Sequence, residues 1–530
     1  MPKKTVSANG GKKFPLVIFQ HAIQQDRTNA LAFADALAKQ GFAVIGIDMP
    51  MHGMVKERLD MSNSKDASRS QLYAPEINYN FQATCASGEG PDRFDICPAR
   101  EFMPYALERT YLMDLVSDME AVDDEGITKS DGNIDASGAH FLNPAVPLAQ
   151  RDILRQSTID LAFLSYYLRK GMYSQCGMKS GTAVACDDVR NRQKTGDDED
   201  VAKKTEKYLK DAIDFNNIHF VGHSVGNIVA APWLSMDKNI RSITMLAPAG
   251  VLLRTLEGSE VIGAKLADGL NAKGVLKGTE NYYRFFASVH AAIDGAEPLN
   301  YYEGLKTRNP VDGEVADENG LASRPILITQ IVGDDTNSQD KVLPPVLAYD
   351  DYPMAGSNAL ANFLGLATSG DYVQRGREGG DTGLIQNGDK TVLQLAMKLN
   401  RGDHASFLLP KNEVHAKAVK EARELDEMYD EQIEFLESIV ASAQAERDAL
   451  DPSKKYYALE YELATDKIKA RQARLDVALA KKANHIIPDA DNQDETFVGV
   501  DIHPEMQRQV ASFLSNQGKA ITDVDLEKIR

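Results

Sequence analysis

Residues 222–226 read Gly-His-Ser-Val-Gly, so a serine stands between two glycines at the end of a short apolar run. A helix-like stretch, residues 227–234, follows directly. A sharp turn from strand to helix lifts such a serine to the edge of a sheet, where the helix N-terminus favours developing negative charge. We therefore predict Ser224 as a nucleophile, against the alternative of an ordinary serine in a glycine-containing turn. His223 leaves the turn in a different direction, so we expect it to be structural.

A serine hydroxyl is a weak nucleophile at neutral pH, so Ser224 needs a general base, and the base needs a carboxylate to fix its tautomer. On a strand-to-helix elbow, the acid and then the histidine follow the serine along the chain. Three acids follow the apolar run 325–333. We predict Asp340, because its segment "DKVLP" resembles the D-x-V-x-P arrangement common after this strand in α/β-hydrolases. Asp334 and Asp335 are alternative acids, although a strand end also favours Asp as a turn former.

Four histidines follow these acids, and His404 has the setting expected of the base. It lies in a polar turn directly after the apolar run 391–399. His503 precedes the final helix and is the second choice. His415 and His485 belong to a charged helical segment, where we expect solvated surface positions.

The segment 400–410, "NRGDHASFLLP", also contains Arg-Gly-Asp, a tripeptide known from cell-adhesion ligands. Average residue usage produces this tripeptide by chance in roughly one chain in ten of this length. We interpret Gly402 and Asp403 as residues that shape the turn presenting the base, and Arg401 as incidental. The alternative hypothesis is a non-catalytic adhesion or interaction protein on the same scaffold.

Short apolar runs bounded by turn residues indicate strands that are buried on both faces. They occupy residues 15–21, 42–50, 218–222, 241–248, 325–333 and 391–399. Helical patterns separate several of these runs. This arrangement is typical of an α/β fold with a mostly parallel sheet flanked by helices.

Long insertions divide this core into pieces. The segments that we expect to form the core are 1–53, 150–250 with the nucleophile and a cysteine loop, 321–410 with the acid and base, and 485–530 with a final helix. An irregular, cysteine-containing insertion occupies 54–149. A helical region at 251–320 is predicted to be a cap or lid, although its aromatic residues are equally consistent with the core of a cap domain.

Residues 411–484 predict a long antiparallel helical hairpin that resembles a short coiled coil. The segment "DPSK" separates its two helices, with Asp451 as the expected N-cap and Pro452 at the first helical position. The apolar positions of the first helix are Leu425, Tyr429, Leu436, Val440 and Ala443; those of the second are Leu459, Leu463, Ala470, Ala473 and Val477. This hairpin carries no evident chemistry and is a candidate for gating the site or for self-association.

The composition indicates a globular protein. Of 530 residues, 43% are hydrophobic and 26% are charged, and no apolar run is long enough to span a bilayer. Asp and Glu outnumber Lys and Arg by 78 to 59, which gives a net charge of −19. This charge disfavours nucleic acid and anionic membrane surfaces as partners held by charge.

The four cysteines fall into two close pairs within polar loops, Cys85 with Cys97 and Cys176 with Cys186. We expect local disulfides, with free thiols as the alternative, and disulfides favour an oxidising compartment. The basic N-terminus, residues 1–13, has no apolar stretch behind it and is not a secretory signal. We expect a secreted protein, or one at the outer-membrane surface, whose signal is absent from this chain.

At several segments the sequence resembles the bacterial extracellular lipases known as virulence-factor lipases, a family within the α/β-hydrolases that includes surface-exposed lysophospholipases. The matching segments are 15–53, 131–164, 221–230, 291–305, 402–410 and 504–518. Members of that family typically also have a secretion or lipoprotein signal and an N-terminal domain. The helical hairpin departs from the family pattern.

The resemblance also places the oxyanion hole, in which two backbone N–H groups stabilise the tetrahedral intermediate. Val225, the residue after the nucleophile, supplies one. Lipases usually have His-Gly-X in the loop after the first strand, with X as the second donor. By that alignment the donor is Ile23 in "QHAIQQ". Ala22 replaces the glycine, which restricts the turn if a positive φ is required.

The resemblance implies hydrolysis of carboxylic esters, with acyl lipids as substrates and contact with lipid surfaces. No metal or organic cofactor is needed. A phospholipase or lysophospholipase, a polyesterase, a thioesterase and an amidase are alternatives on the same machinery, because pocket shape selects the substrate. Calcium binding by the Asp-rich stretch 123–135 is a weaker alternative to a solvated loop, since no complete EF-hand pattern is present.

Overall fold

A computed structural model describes most of the chain. The described residues are 9–53, 109, 137–142, 144, 146–170, 177–179, 182–184, 210–311, 313–335, 337–347, 354–370, 383–386, 392–408, 411–483 and 502–530. The four cysteines and the Asp-rich stretch 123–135 lie outside these residues, so the disulfide and calcium predictions stay predictions. None of the helices within the described ranges has the length and apolar character needed to cross a bilayer.

The strands are β1 (Phe14–Gln20), β2 (Ala43–Ile47), β3 (Gly177–Lys179), β4 (Thr182–Val184), β5 (Ile213–His223), β6 (Ile240–Leu246), β7 (Thr307–Arg308), β8 (Ala322–Ser323), β9 (Ile326–Ile331), β10 (Ala367–Thr368), β11 (Ile385–Gln386), β12 (Gln394–Leu399) and β13 (Ala520–Ile521). The helices are α1 (Leu31–Lys39), α2 (Pro147–Lys170), α3 (Val225–Met236), α4 (Leu252–Gly258), α5 (Ile262–Ala272), α6 (Glu280–Ile293), α7 (Ser357–Leu364), α8 (Lys411–Asp448), α9 (Tyr457–Ala483) and α10 (His503–Ser515). Short 3-10 helices occupy Arg27–Ala30, Asp294–Ala296, Pro298–Lys306 and Leu526–Lys528.

Seven strands form one sheet in the order β10-β12-β9-β6-β5-β1-β2. Every neighbouring pair in it is parallel. Helix α3 follows the carboxyl end of the interior strand β5 after the single residue Ser224. The predicted mostly parallel sheet flanked by helices is confirmed, and the chain has an α/β-hydrolase fold.

Both faces of this sheet are buried, which explains why its strands are continuous apolar runs. In β1, Leu16 and Ile18 belong to one core, while the alternate residues Val17 and Phe19 belong to the other. The first core also contains residues of α2, α3 and α6, and the second contains residues of α1 and α10. The helices therefore cover the sheet on both sides and leave its strand ends to carry polar groups.

The aromatic residues of α6 belong mainly to the core. Tyr282, Phe286 and Val289 are buried together with residues of α2 and α3, and Tyr283 is 58% exposed. Tyr282 donates a hydrogen bond to Glu257, which ties α6 to α4. These side chains therefore pack in the main core beside the sheet, and a cap or lid at 251–320 stays a prediction.

Helices α8 and α9 pack against each other through a small core of Leu436, Val440, Leu475 and Ala478. The predicted contact positions Leu459 and Leu463 are wrong, since these side chains are 56% and 61% exposed. Among the side chains of α9 that the structure describes, the buried positions are 468, 471, 475 and 478, which follow a heptad pattern. Apolar spacing in the sequence did not indicate these contact positions, because position 471 is an arginine. The side chains of the predicted positions 470, 473 and 477 lie outside the described part.

The predicted start of α9 is also wrong. The helix begins at Tyr457 rather than after an N-cap at Asp451. The Asp451 carboxylate accepts hydrogen bonds from the backbone N–H and the hydroxyl of Ser453, so it stabilises the turn between the helices. An aspartate before a proline favours such a local turn as well as a helix cap.

A buried histidine between β5 and β6 predicts acid sensitivity. Burial lowers the pKa of His219 from 6.5 to about 3. Its ring contacts the Ser242 hydroxyl at 2.7 Å and Asn217 Oδ1 at 3.1 Å. Between pH 6.5 and 3 the unfolded chain takes up a proton that the folded chain does not, so this contribution to stability is lost as the pH falls.

The variant His219→Gln removes this titration and keeps a donor and an acceptor. From pH 7.5 to pH 5, we expect the free energy of unfolding to fall by about 2 kcal/mol less in this variant than in the unmodified protein. Urea unfolding followed by the fluorescence of Trp233, the single tryptophan, measures the difference. His290→Gln, at a partly exposed histidine, is the control. Equal pH dependence in His219→Gln and the unmodified protein would contradict the prediction.

Candidate active site

Ser224 occupies a strained turn between β5 and α3. Its φ is 54° and its ψ is −123°, a combination that L-residues rarely adopt. The Ser224 N–H donates a 2.9 Å hydrogen bond to the Leu246 carbonyl at the end of β6. Strain of this kind persists only where the surroundings fix the backbone, and it concentrates at functional sites. The turn places Ser224 at the carboxyl edge of the sheet, and the residue is 1% exposed.

The glycines of the motif are required by close packing around this turn. A Cβ atom on Gly226 would lie 2.3 Å from the Gln20 carbonyl oxygen and 2.7 Å from that of His21. A Cβ atom on Gly222 would lie 2.3 Å from Asn227 Oδ1. The first turn of α3 therefore lies directly against the end of β1.

The structure brings His404 and Asp340 together. His404 Nδ1 lies 2.6 Å from Asp340 Oδ2. The other carboxylate oxygen of Asp340 accepts hydrogen bonds from the N–H groups of Val342 (2.8 Å) and Leu343 (3.1 Å). Asp340 is 1% exposed, so its carboxylate is held by these partners rather than by water. With the Nδ1 proton donated to Asp340, His404 Nε2 carries the free lone pair that a general base needs.

The Arg-Gly-Asp tripeptide shapes the loop that carries His404. The Asp403 carboxylate accepts hydrogen bonds from Ala405 N–H (2.8 Å) and from the Ser406 hydroxyl (3.2 Å). Burial raises the pKa of Asp403. Gly402 has φ 121°, and a Cβ there would lie 2.8 Å from Ile502. The Asp403 side chain is thus engaged within its own loop, which does not suit an adhesion ligand.

The loop after β1 contains the predicted oxyanion donor Ile23. Positive φ occurs at Gln24 (60°) and not at Ala22, so alanine at position 22 does not strain this turn. Gln25 Oε1 accepts a 3.1 Å hydrogen bond from Ala22 N–H. Because α3 packs against the end of β1, the loop with Ile23 adjoins the turn with Val225. The assignment of these two N–H groups as donors stays a prediction.

The alternative residues are not assembled with His404. Asp334 accepts hydrogen bonds from the backbone and side chain of Asn337, as a turn former does, and Asp335 is exposed. His503 Nδ1 lies 3.0 Å from the Ser406 carbonyl oxygen, in the loop that carries His404. The side chain of His415 and the whole of His485 lie outside the described residues.

Two histidines at this site make contacts that were not expected from the sequence. His223 Nε2 lies 2.7 Å from the backbone carbonyl oxygen of His404. His21 Nδ1 lies 2.7 Å from the Ala22 carbonyl, and its Nε2 accepts a 3.0 Å hydrogen bond from Met49 N–H. Burial lowers the pKa of His223 to about 3 and that of His21 to about 4, so both are neutral near pH 7. In the sequence, the only indication of these contacts was that His223 and His21 each lie at the end of a strand.

No group of three or more His, Cys, Asp and Glu side chains within the described part of the chain is arranged to bind a metal ion.

No model of a known family matches the chain, and no curated protein matches it. Among solved structures, it is similar to an acylaminoacyl peptidase from Pyrococcus horikoshii, with 10% identity over 76% of this chain and 34% of that chain, and a TM-score of 0.28. It is also similar to TT1662 from Thermus thermophilus, with 12% identity over 76% and 84% of the two chains and a TM-score of 0.26. It is also similar to a lipase in an open form, with 11% identity over 75% of this chain and 83% of that chain, and a TM-score of 0.25. The chain spans about a third of the length of the peptidase.

The packing of α3 against β1 can be tested by adding one methyl group. In Gly226→Ala the new Cβ meets two backbone oxygens that cannot move independently, so we expect a loss of more than about 3 kcal/mol in the free energy of unfolding. The control is Gly269→Ala in α5, where nothing lies within 4 Å of the added atom. Since alanine favours helices, we expect the control to gain up to about 1 kcal/mol. Urea unfolding of both variants measures this, and a stable Gly226→Ala protein would refute the packing.

Proposed function

We propose that this chain is a serine hydrolase that cleaves carboxylic esters through an acyl-enzyme intermediate. The observation that carries the proposal is the 2.6 Å contact between His404 Nδ1 and Asp340 Oδ2, at the sheet edge where Ser224 occupies its strained turn. The order Ser224, Asp340, His404 along the chain is the order of this fold's catalytic triads. A nucleophile, a base and an orienting acid are the parts that acyl transfer needs.

The proposed reaction begins when Ser224 Oγ attacks the ester carbonyl carbon. His404 Nε2 takes the serine proton, and the N–H groups of Ile23 and Val225 stabilise the oxyanion. Collapse of the tetrahedral intermediate expels the alcohol, which receives the proton from His404, and leaves the acyl group on Ser224. Water activated by His404 then attacks this acyl-enzyme and releases the carboxylic acid.

Asp340 has two roles in this scheme. Its hydrogen bond fixes the His404 tautomer with the lone pair on Nε2, and its negative charge stabilises the imidazolium that forms. The two N–H groups of the segment 342–343 hold the carboxylate in the orientation that His404 requires. The acid is therefore preorganised before any substrate binds.

For the substrate we propose acyl lipid esters. The resemblance of several segments to virulence-factor lipases supports this choice, and with it a secreted or outer-membrane location and contact with lipid surfaces. A lysophospholipase, a phospholipase or a polyesterase would use the same residues and differ in the pocket. A panel of p-nitrophenyl esters, triglyceride and lysophospholipid separates these activities.

The variant Ser224→Ala tests the nucleophile. It removes one oxygen atom and leaves the turn intact, so we expect the fold to persist and p-nitrophenyl ester hydrolysis to fall to background. Labelling by a fluorophosphonate probe should disappear as well, because the probe reacts with an activated serine. Full activity in Ser224→Ala would refute the assignment. Absence of both hydrolysis and labelling in the unmodified protein would instead favour a non-catalytic adhesion or interaction protein.

A matched pair of variants tests the acid. Asp340→Asn keeps the shape but removes the charge and favours the wrong histidine tautomer, so we expect kcat to fall by about 10⁴-fold. Asp335→Asn makes the same change at an exposed position, and we expect no change in kcat. Steady-state kinetics on one p-nitrophenyl ester compares the two. A larger loss of kcat in Asp335→Asn than in Asp340→Asn would show that Asp335, and not Asp340, is the acid.

A further inference from the structure

We propose that His223 is a positioning residue for this hydrolase, which holds the loop of the general base in place by donating a hydrogen bond from Nε2 to the backbone carbonyl of His404. The proposal rests on the proposed function, because it concerns the geometry of the same reaction. His223 does not touch the reacting atoms and acts through His404.

The position of His223 makes this contact significant. It is the last residue of β5 and directly precedes Ser224, whereas His404 follows β12, which is separated from β5 by two other strands of the sheet. The 2.7 Å contact therefore joins the nucleophile turn to a loop 181 residues further along the chain. The two imidazole rings also lie side by side, with centroids 5.0 Å apart and planes inclined by 34°.

The protonation state of His223 follows from its surroundings. Burial lowers its pKa to about 3, which outweighs the opposite effect of its hydrogen bond to the His404 carbonyl, so the ring is neutral near pH 7. A neutral imidazole has one N–H, and a 2.7 Å approach to a carbonyl oxygen requires that proton on Nε2. Nδ1 is then unprotonated, and its 3.4 Å distance to Gln25 Oε1 is a packing contact. His223 thus donates one hydrogen bond and adds no positive charge beside the base.

His404 is held at two points, and each constrains a different part of it. The bond to Asp340 holds the ring at Nδ1, and the bond from His223 holds the backbone of the same residue. With the first bond alone, the ring could pivot about Nδ1 and carry Nε2 away from Ser224. Displacement of a reacting group by about 1 Å can reduce the rate by about 10²-fold.

Two substitutions distinguish this role from simple filling of space. His223→Gln places an amide N–H near the position of Nε2, whereas His223→Leu has a comparable volume and no donor. On a p-nitrophenyl ester we expect kcat to fall about 10- to 100-fold in His223→Leu, with KM changed less than about twofold, and most of kcat to be retained in His223→Gln. Circular dichroism and Trp233 fluorescence provide the folded fraction. If His223→Leu does not fold, His223→Asn replaces it, because its shorter amide does not reach the carbonyl.

A second measurement does not depend on activity. The Nδ1 proton between His404 and Asp340 should give a downfield ¹H NMR signal, which its loss in Asp340→Asn identifies. We expect this signal to persist in His223→Gln and to broaden or vanish in folded His223→Leu. Unchanged kcat and an unchanged signal in His223→Leu would overturn the proposal, as would equal losses in both variants. If the unmodified protein hydrolyses no ester, the proposed function fails, and the NMR comparison still decides whether His223 positions His404.

Discussion

The sharp backbone turn at Ser224 is the constraint on which the rest of the site depends. It requires a positive φ at a residue with a side chain, and the surroundings supply what fixes it. The Ser224 N–H is bonded to the end of β6, and Gly226 lets α3 approach the end of β1 within van der Waals limits. The strand ends that carry the predicted oxyanion loop, the proposed acid and the proposed base all belong to the same sheet. The turn at the proposed nucleophile is therefore fixed by the ends of the two strands on either side of β5.

Neutral buried histidines are a recurring part of this frame. Burial lowers the pKa of His21 to about 4 and the pKa values of His52, His219 and His223 to about 3. Each neutral ring has one donor and one acceptor nitrogen, so it can donate a hydrogen bond to one neighbour and accept a hydrogen bond from another. His21 does so in the loop after β1, and His223 contacts the loop that carries His404. Because these rings are buried in the neutral state, the fold loses stability as the pH falls.

The sequence predicted the parallel sheet because runs buried on both faces are a strong pattern. It also selected Asp340 and His404, which the structure brings into contact, because the order of residues and their place after strands narrowed the choice. The contact between His223 and the His404 carbonyl could not be predicted, since it involves a backbone atom far along the chain. The contact face of α9 was also missed. Apolar spacing favoured exposed leucines, while the real seam includes a charged residue.

That charged residue, Arg471, has a consequence for how the hairpin assembles. The residue is only 8% exposed, and its Nη1 donates a 2.9 Å hydrogen bond to the Ile439 carbonyl oxygen on the opposite helix. A guanidinium stays charged in the folded protein and needs acceptors for its N–H groups wherever it is buried. The seam between α8 and α9 therefore contains a hydrogen bond to the helix backbone as well as apolar contacts. A leucine at position 471 would enlarge the apolar core but would lose this bond between the two helices.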